Sequence, residues 1–229
     1  TKPDEDYPKD QNDNWWNFPF SLTGKELDVP GFEKIDAVFN TMDGKTYMFS
    51  GQYFIYFDNM HRWWSEPKKF AEEWDSVSFT SIDAAFTGKD NRTYLFSGTQ
   101  FIRFSDSDFT RIDDGYPRTI AKSFGKVKNN IVETGIVDAA VVVLSHVEEE
   151  REVNGAVITD EKEYLHTYLF SGDQYVRYLD TDYTYIETGY PKLIARSLKE
   201  EPRFKNIDEE ELKNIESVSA AFADERNVY

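Results

Sequence analysis

The chain has 229 residues, of which 43 are acidic and 26 basic, giving a formal net charge of −17. That balance excludes binding to nucleic-acid phosphates or anionic lipid, both of which need clustered Lys and Arg. Cysteine is absent, so disulfides, thiolate metal sites and a thiol nucleophile are excluded, and no apolar run reaches the roughly 20 residues of a membrane span. Aromatics make up 16% of the sequence, which suits pleated, half-buried strands. The start at Thr1, without initiator Met or signal peptide, reads as that of a mature or excised piece, and the expected location is extracellular.

Taken in chain order, the first segment holds Asp6-Tyr7-Pro8-Lys9, then Trp15-Trp16 and Pro19. It is similar to material that closes the later units, Gly115-Tyr116-Pro117-Arg118 and Gly189-Tyr190-Pro191-Lys192. The first complete unit opens with Ile35-Asp36-Ala37-Val38-Phe39, continues with Tyr47-Met48-Phe49-Ser50-Gly51, and ends with Tyr53-Phe54-Ile55-Tyr56-Phe57. The second repeats it as Ile82-Asp83-Ala84-Ala85-Phe86, Tyr94-Leu95-Phe96-Ser97-Gly98 and Phe101-Ile102-Arg103-Phe104. The third runs Val137-Asp138-Ala139-Ala140-Val141, Tyr168-Leu169-Phe170-Ser171-Gly172 and Tyr175-Val176-Arg177-Tyr178. A fourth begins at Val218-Ser219-Ala220-Ala221-Phe222 and Asn227-Val228-Tyr229, where the chain stops.

Spacing from Asp to Gly is fifteen residues in the first two units and thirty-four in the third, an insertion of nineteen. The added residues lie in the acidic stretch from Glu148 to Glu163, which predicts an exposed hairpin extension or loop. Each unit predicts three short strands, a fourth, and a turn or short helix such as Ile120–Phe124. The Ser-Gly pairs at 50–51, 97–98 and 171–172 mark tight hairpins, where Gly supplies positive φ. A strand such as 53–57, apolar on both faces, has to be covered on both sides. Sheets stacked radially around an axis do this.

These ordered elements closely resemble hemopexin-type repeats, with Asp83-Ala84-Ala85-Phe86, Tyr94-Leu95-Phe96-Ser97-Gly98, Phe101-Ile102-Arg103-Phe104 and Gly115-Tyr116-Pro117 carrying the likeness. The resemblance implies an all-β, four-bladed β-propeller formed by residues 1–229 as one domain. Its blades are expected at about 32–76, 79–128, 134–200 and 214–229, the last incomplete and closed by residues 1–20. The absence of Cys and the acidity make it similar to bacterial, toxin-associated members.

The resemblance also implies ions in the central channel. Backbone carbonyls of Asp36, Asp83, Asp138 and Ser219 would ring a calcium or sodium ion, and backbone amides of Val38, Ala85, Ala140 and Ala221 would face a chloride. The competing reading is that Asp caps the strand, Ala packs closely and the channel holds only water.

Other side chains carry weaker signals. Arg103 and Arg177, with Tyr56 in the equivalent place, read as partners in ion pairs or cation–π contacts between blades. Trp15-Trp16 and Trp63-Trp64 read as packing, with an aromatic platform for a sugar or a partner as the alternative. His61, His146 and His166 have no metal-binding spacing and are expected either at the surface or supporting other residues of a site, without a direct ligand role. The run Glu148-Glu149-Glu150 with Glu152 reads as a solvated loop. No catalytic motif is found. The expected function is a non-enzymatic binding module for a protein, a cell-surface receptor or a glycan, within a larger, toxin-type polypeptide. The alternatives are a carrier of haem or polyamine and a carbohydrate-active propeller enzyme.

Overall fold

The computed structural model describes residues 34–61, 63–74, 77–124, 128–153, 156–178, 181–201, 203–205, 207, 209–213, 215–221 and 223. The N-terminal closing segment, with Trp15 and Trp16, and the strand expected at 227–229 lie outside them.

Three antiparallel sheets follow the three complete repeats. The first contains β1 (Ala37–Asn40), β2 (Lys45–Ser50), β3 (Tyr53–Asp58) and the two-residue outer strands β4 (Trp63–Trp64) and β5 (Lys68–Lys69). The second is β6 (Ala84–Thr87), β7 (Thr93–Ser97), β8 (Gln100–Phe104) and β9 (Arg118–Thr119). The third is β10 (Ala139–Val153), β11 (Ala156–Ser171), β12 (Gln174–Tyr178) and β13 (Lys192–Leu193). Short helices α1 (Phe70–Glu73), α2 (Ile120–Ser123) and α4 (Ile194–Ser197) follow the outer strands, as the apolar spacing predicts. Two further short helices, α3 (Asn130–Thr134) and α5 (Glu209–Lys213), lie in the connections after the second and third sheets.

The expected covering of both strand faces is visible in the core. Ala85, Leu95, Ile102 and Phe104 of the second sheet pack with Phe39, Tyr47, Phe49 and Phe54 of the first. The alternate residues Ala84, Phe86, Tyr94, Phe96 and Phe101 pack with Ala140, Leu169, Val176 and Tyr178 of the third. Because successive strand residues point to opposite faces, one sheet supplies half of each apolar layer. The opening strands β1 and β6 touch, and so do β6 and β10, so the sheets stand side by side around a common axis.

Loop residues tie each sheet to the one before it. Phe109 and Tyr183 both adopt the left-handed backbone conformation, at φ 55° and 50°. Phe109 packs on Tyr47 and Trp74 of the first blade, at centroid distances of 5.4 and 5.0 Å. Tyr183 packs on Phe86 and Tyr94 of the second, at 5.2 and 5.1 Å.

Of the fourth repeat, the described residues include part of the opening segment. Among the described residues no strand forms over 218–221, yet the segment lies where a fourth blade belongs. Ala221 is buried with Ala139, Val141 and Phe170 of the third sheet, while Ala220 packs on Val38, Met48 and Ile55 of the first. Asn40 Nδ2 donates to the Ala223 carbonyl at 2.6 Å. Ala220, Ala221 and Ala223 therefore bridge the third and first sheets.

The insertion in the third repeat is a continuation of β10 and β11. Their ladder runs from Ala139 opposite Phe170 out to Val153 opposite Ala156, so the acidic stretch forms the hairpin extension that the spacing predicts.

Candidate functional site

The opening strands share one irregularity. Ala37, Ala84 and Ala139 pair with Phe49, Phe96 and Phe170. The preceding Asp36, Asp83 and Asp138 donate their N–H groups to those same Phe carbonyls, at 2.8, 2.8 and 2.9 Å. Two residues thus face one partner, which is a β-bulge. Past it the alternation is regular. Thr41 N–H donates to Lys45 O and Gly88 N–H to Arg92 O, so Ala37, Phe39, Ala84 and Phe86 address the second strand. By the same alternation, the amides of Val38, Ala85 and Ala140 lie on the strand edge facing the axis.

An open cavity of about 160 Å³ lies there, and Val38, Ala85, Ala140 and Ala221 all line it. The four residues expected to surround an anion are thus brought together. Of those expected around a cation, Asp36, Asp83 and Asp138 occupy one bulge position in three blades, whereas Ser219 is exposed. None of these four lines the cavity. The Asp side chains are committed elsewhere. Their carboxylates accept the N–H of Gly51, Gly98 and Gly172, at 2.7, 2.6 and 2.6 Å. The capping role of the competing reading is therefore present, and it takes one carboxylate oxygen of each Asp.

His61, His146 and His166 do not line the cavity. His61 sits in a turn against Asp58, and His146 lies on the hairpin arm, 3.6 Å from Glu163. Of the two expected places, His166 is not at the surface. It lies within β11, is buried, and its Nδ1 has no hydrogen-bond partner. Burial first, then the Arg177 guanidinium, holds its pKa below the usual value.

The arginines also differ from expectation, because their ion pairs form within a blade. Arg103 pairs with Asp113, and Arg177 pairs with Glu187 at 2.6 Å through both Nε and Nη2. In the backbone, Ser65, Asp113 and Glu187 donate to the carbonyls of Tyr56, Arg103 and Arg177, each at 2.9 Å. This fixes the equivalence of the three outer edges. Sequence reasoning missed the residue that completes the third one. Glu201, 2% exposed, accepts from Tyr168, Tyr175 and Tyr190, from Arg177 Nη1 at 2.6 Å and from Lys192 Nζ at 2.9 Å. Burial pushes its carboxyl up, but the bonds from Tyr190, Lys192 and Arg177 outweigh this and hold it below the usual Glu value. Glu201 lies outside the repeat signature, so only its place after α4 could have drawn attention to it.

The tryptophan pair of β4 divides. Trp64 is half-buried against Phe57 at 4.9 Å, while Trp63 is 45% exposed and leans on Tyr56 at 5.4 Å. Among the described residues no three His, Asp or Glu side chains gather to hold a metal ion, and no helix is long and apolar enough to cross a membrane.

Residues 82–125, the second blade, match the hemopexin family. Three solved structures align over most of the chain. A plant lectin with two metal binding sites from Cicer arietinum is 21% identical, covering 86% of this chain and 81% of its own at a TM-score of 0.56. A hemopexin fold protein from cow pea is 20% identical, covering 82% and 77% at 0.56. This is the hemopexin fold. A plant albumin from Cicer arietinum showing hemagglutination shares it, at 20% identity, covering 85% and 80% with a TM-score of 0.55. No curated protein sequence matches this chain. These hemopexin-fold relatives are seed albumins and lectins, and the expected association with bacterial toxins finds no support among them.

Proposed function

We propose that the chain is a non-enzymatic binding module whose axis holds ions and whose blade edges recognise a glycan or glycosylated receptor outside cells. The observation that carries this reading is the ring of Val38, Ala85, Ala140 and Ala221 around an axial cavity whose described lining holds no carboxylate, histidine or serine and a single lysine, Lys89. Ala at three of the four positions lets the strands approach closely and leaves the backbone as the recognition surface.

The donor set suits the expected ions. Main-chain carbonyls of Asp36, Asp83 and Asp138 would supply neutral oxygens to calcium or sodium, which accept such ligands along with water. The axis-facing amides would hold chloride. The ions would screen the converging strand dipoles, and the chain's own contribution is to fix the donors on three identical bulges. The same cavity is lined by Lys89, whose charge opposes a polyamine, and by no histidine that could ligate haem iron. The names of two Cicer arietinum relatives, one a lectin with two metal sites and one an albumin showing hemagglutination, support the binding role.

The test pairs thermal unfolding in calcium, sodium chloride and chelator with erythrocyte agglutination by the full chain. Calcium-dependent stabilisation and agglutination together are the expected result. A chain that agglutinates nothing and captures no glycosylated receptor would remove the recognition half of the proposal. Membership of a larger secreted polypeptide belongs to the same proposal and is tested by the size of the native product in culture medium.

A further inference from the structure

The three outer edges are equivalent by their backbone bonds, yet they end in different side chains. Ser65, Asp113 and Glu187 occupy the same place, and two residues earlier stand Trp63, Arg111 and Tyr185. Trp63 is 45% and Tyr185 70% exposed, while Arg111 is paired with Asp114 at 2.7 Å. Large aromatics at one repeated, solvent-facing position contrast with the other Trp of this chain's described core, Trp74, which is 5% exposed.

In the first blade the surroundings of the exposed ring are specific. Tyr56 lies below Trp63 at 5.4 Å with an interplanar angle of 64°, which fixes the indole's tilt. Lys45 Nζ sits 5.8 Å from the Tyr56 centroid and pairs with Asp43 at 2.6 Å. Asp58, bonded to His61, pairs across the sheet with both Lys45 and Trp63. A flat, half-exposed aromatic ring with the carboxylate-bearing Asp58 beside it in the sheet matches a pyranose, which has one face of C–H groups and a rim of hydroxyls. The chain's charge of −17 repels sialylated or sulfated sugars and leaves uncharged ones favoured.

We infer that Trp63, and at the equivalent position Tyr185, are stacking platforms for neutral hexopyranosides on opposite blades of the ring. This rests on the glycan reading above and assigns it a place. The second blade, with Arg111, lies between the two platforms, so one chain holds two saccharides apart and can bridge two glycan-bearing surfaces.

The experiment applies the full chain to an array of neutral and sialylated oligosaccharides, followed by surface-plasmon titration of the best neutral ligand. Trp63→Ala is expected to weaken binding at least ~10-fold, Trp63→Phe to stay within ~3-fold of the parent, and the double Trp63→Ala/Tyr185→Ala variant to lose binding and agglutination. Circular dichroism checks folding. Should Trp63→Ala fail to fold, Tyr185→Ala alone, at a more exposed site, must abolish agglutination. Glycan binding unaffected by either substitution would overturn the platform and leave the glycan reading intact. A chain that binds no glycan would overturn both. Preference for sialylated ligands would overturn the neutral assignment.

Discussion

Asp138 accepts the N–H of Gly172 at 2.6 Å across thirty-four residues, the same bond that Asp83 makes to Gly98 across fifteen. The carboxylate joins the bulge that starts a blade to the tight turn ending its second strand. Gly51, Gly98 and Gly172 hold φ of 53°, 52° and 55°, a region costly for residues with a Cβ. The recurring Asp and Ser-Gly are thus two ends of one contact, and everything between them is free to lengthen.

Asp83→Ala removes a charge-assisted hydrogen bond and leaves the Gly98 amide with no partner from that side chain. Because the contact is partly solvated, the expected loss is about 1–2 kcal/mol, and Asp83→Asn should retain part of it. Gly98→Ala should cost about 1–2 kcal/mol through its backbone conformation. Urea unfolding of the three variants checks these values, and an Asp83→Ala protein as stable as its parent would refute the tie.

Glu201 is the most heavily bonded acid described in the chain, and its loss should be severe. Glu201→Ala strands Arg177 and Lys192 beside buried tyrosines and is expected to destabilise by about 3–5 kcal/mol. The pH dependence follows from its direction of shift. The folded-state value lies below the unfolded one, so its contribution is complete above the ordinary Glu range and disappears as pH falls through the lowered value. Thermal unfolding from pH 7 to pH 3 should show this loss, and Glu201→Gln should flatten it.

How much of this was legible beforehand depends on the repeat. The strands, Ser-Gly turns, short helices and hairpin extension follow from residues that recur at fixed spacing, and the aromatic 53–57 strand required neighbours on both faces. Glu201 was hidden because it occurs once, after the third unit, and bonds residues up to 33 positions away. The expectation of inter-blade arginine pairs failed for a related reason. Asp113 and Glu187 differ in type, which masks that they hold one position ten residues after Arg103 and Arg177. The burial of His166 was hidden because it depends on Tyr164, Tyr168 and Glu187, side chains that the sequence alone does not bring together around it.

Acidification acts on His166 as well. Its folded-state pKa is lowered, so the neutral form is the one the fold holds, and stability is complete above the unfolded value near 6.5 and falls below it. Glu187, Glu201, Arg177, Lys89, Tyr164 and Tyr168 are the charged and titratable groups around it. His166→Phe should remove the part of the acid destabilisation that appears between pH 6.5 and 5, while the part due to Glu201 persists at lower pH. Identical pH profiles for parent and variant would refute this assignment.

The hairpin arm should be separable from the ring. Replacing residues 146–163 by a two-residue Asn-Gly turn shortens the Asp138-to-Gly172 spacing from thirty-four to eighteen residues, close to the fifteen of the other blades, and removes the ladder beyond Ser145 and Tyr164. The midpoint of thermal unfolding is expected to move by less than ~4 °C, since the lost ladder has no third strand. A large drop would mean that the arm supports the blade beneath it.

Phe109 and Tyr183 each belong to one blade's sequence and another blade's interior. Such borrowed side chains mean that no repeat carries a finished set of contacts by itself. A severed blade would leave its predecessor with an open aromatic socket, and tandem units interlocked this way should melt in one step rather than peel from an end. The growth of this architecture is consequently tied to whole rings: a unit can be decorated at its hairpins, but it cannot be dropped without unsealing its neighbour.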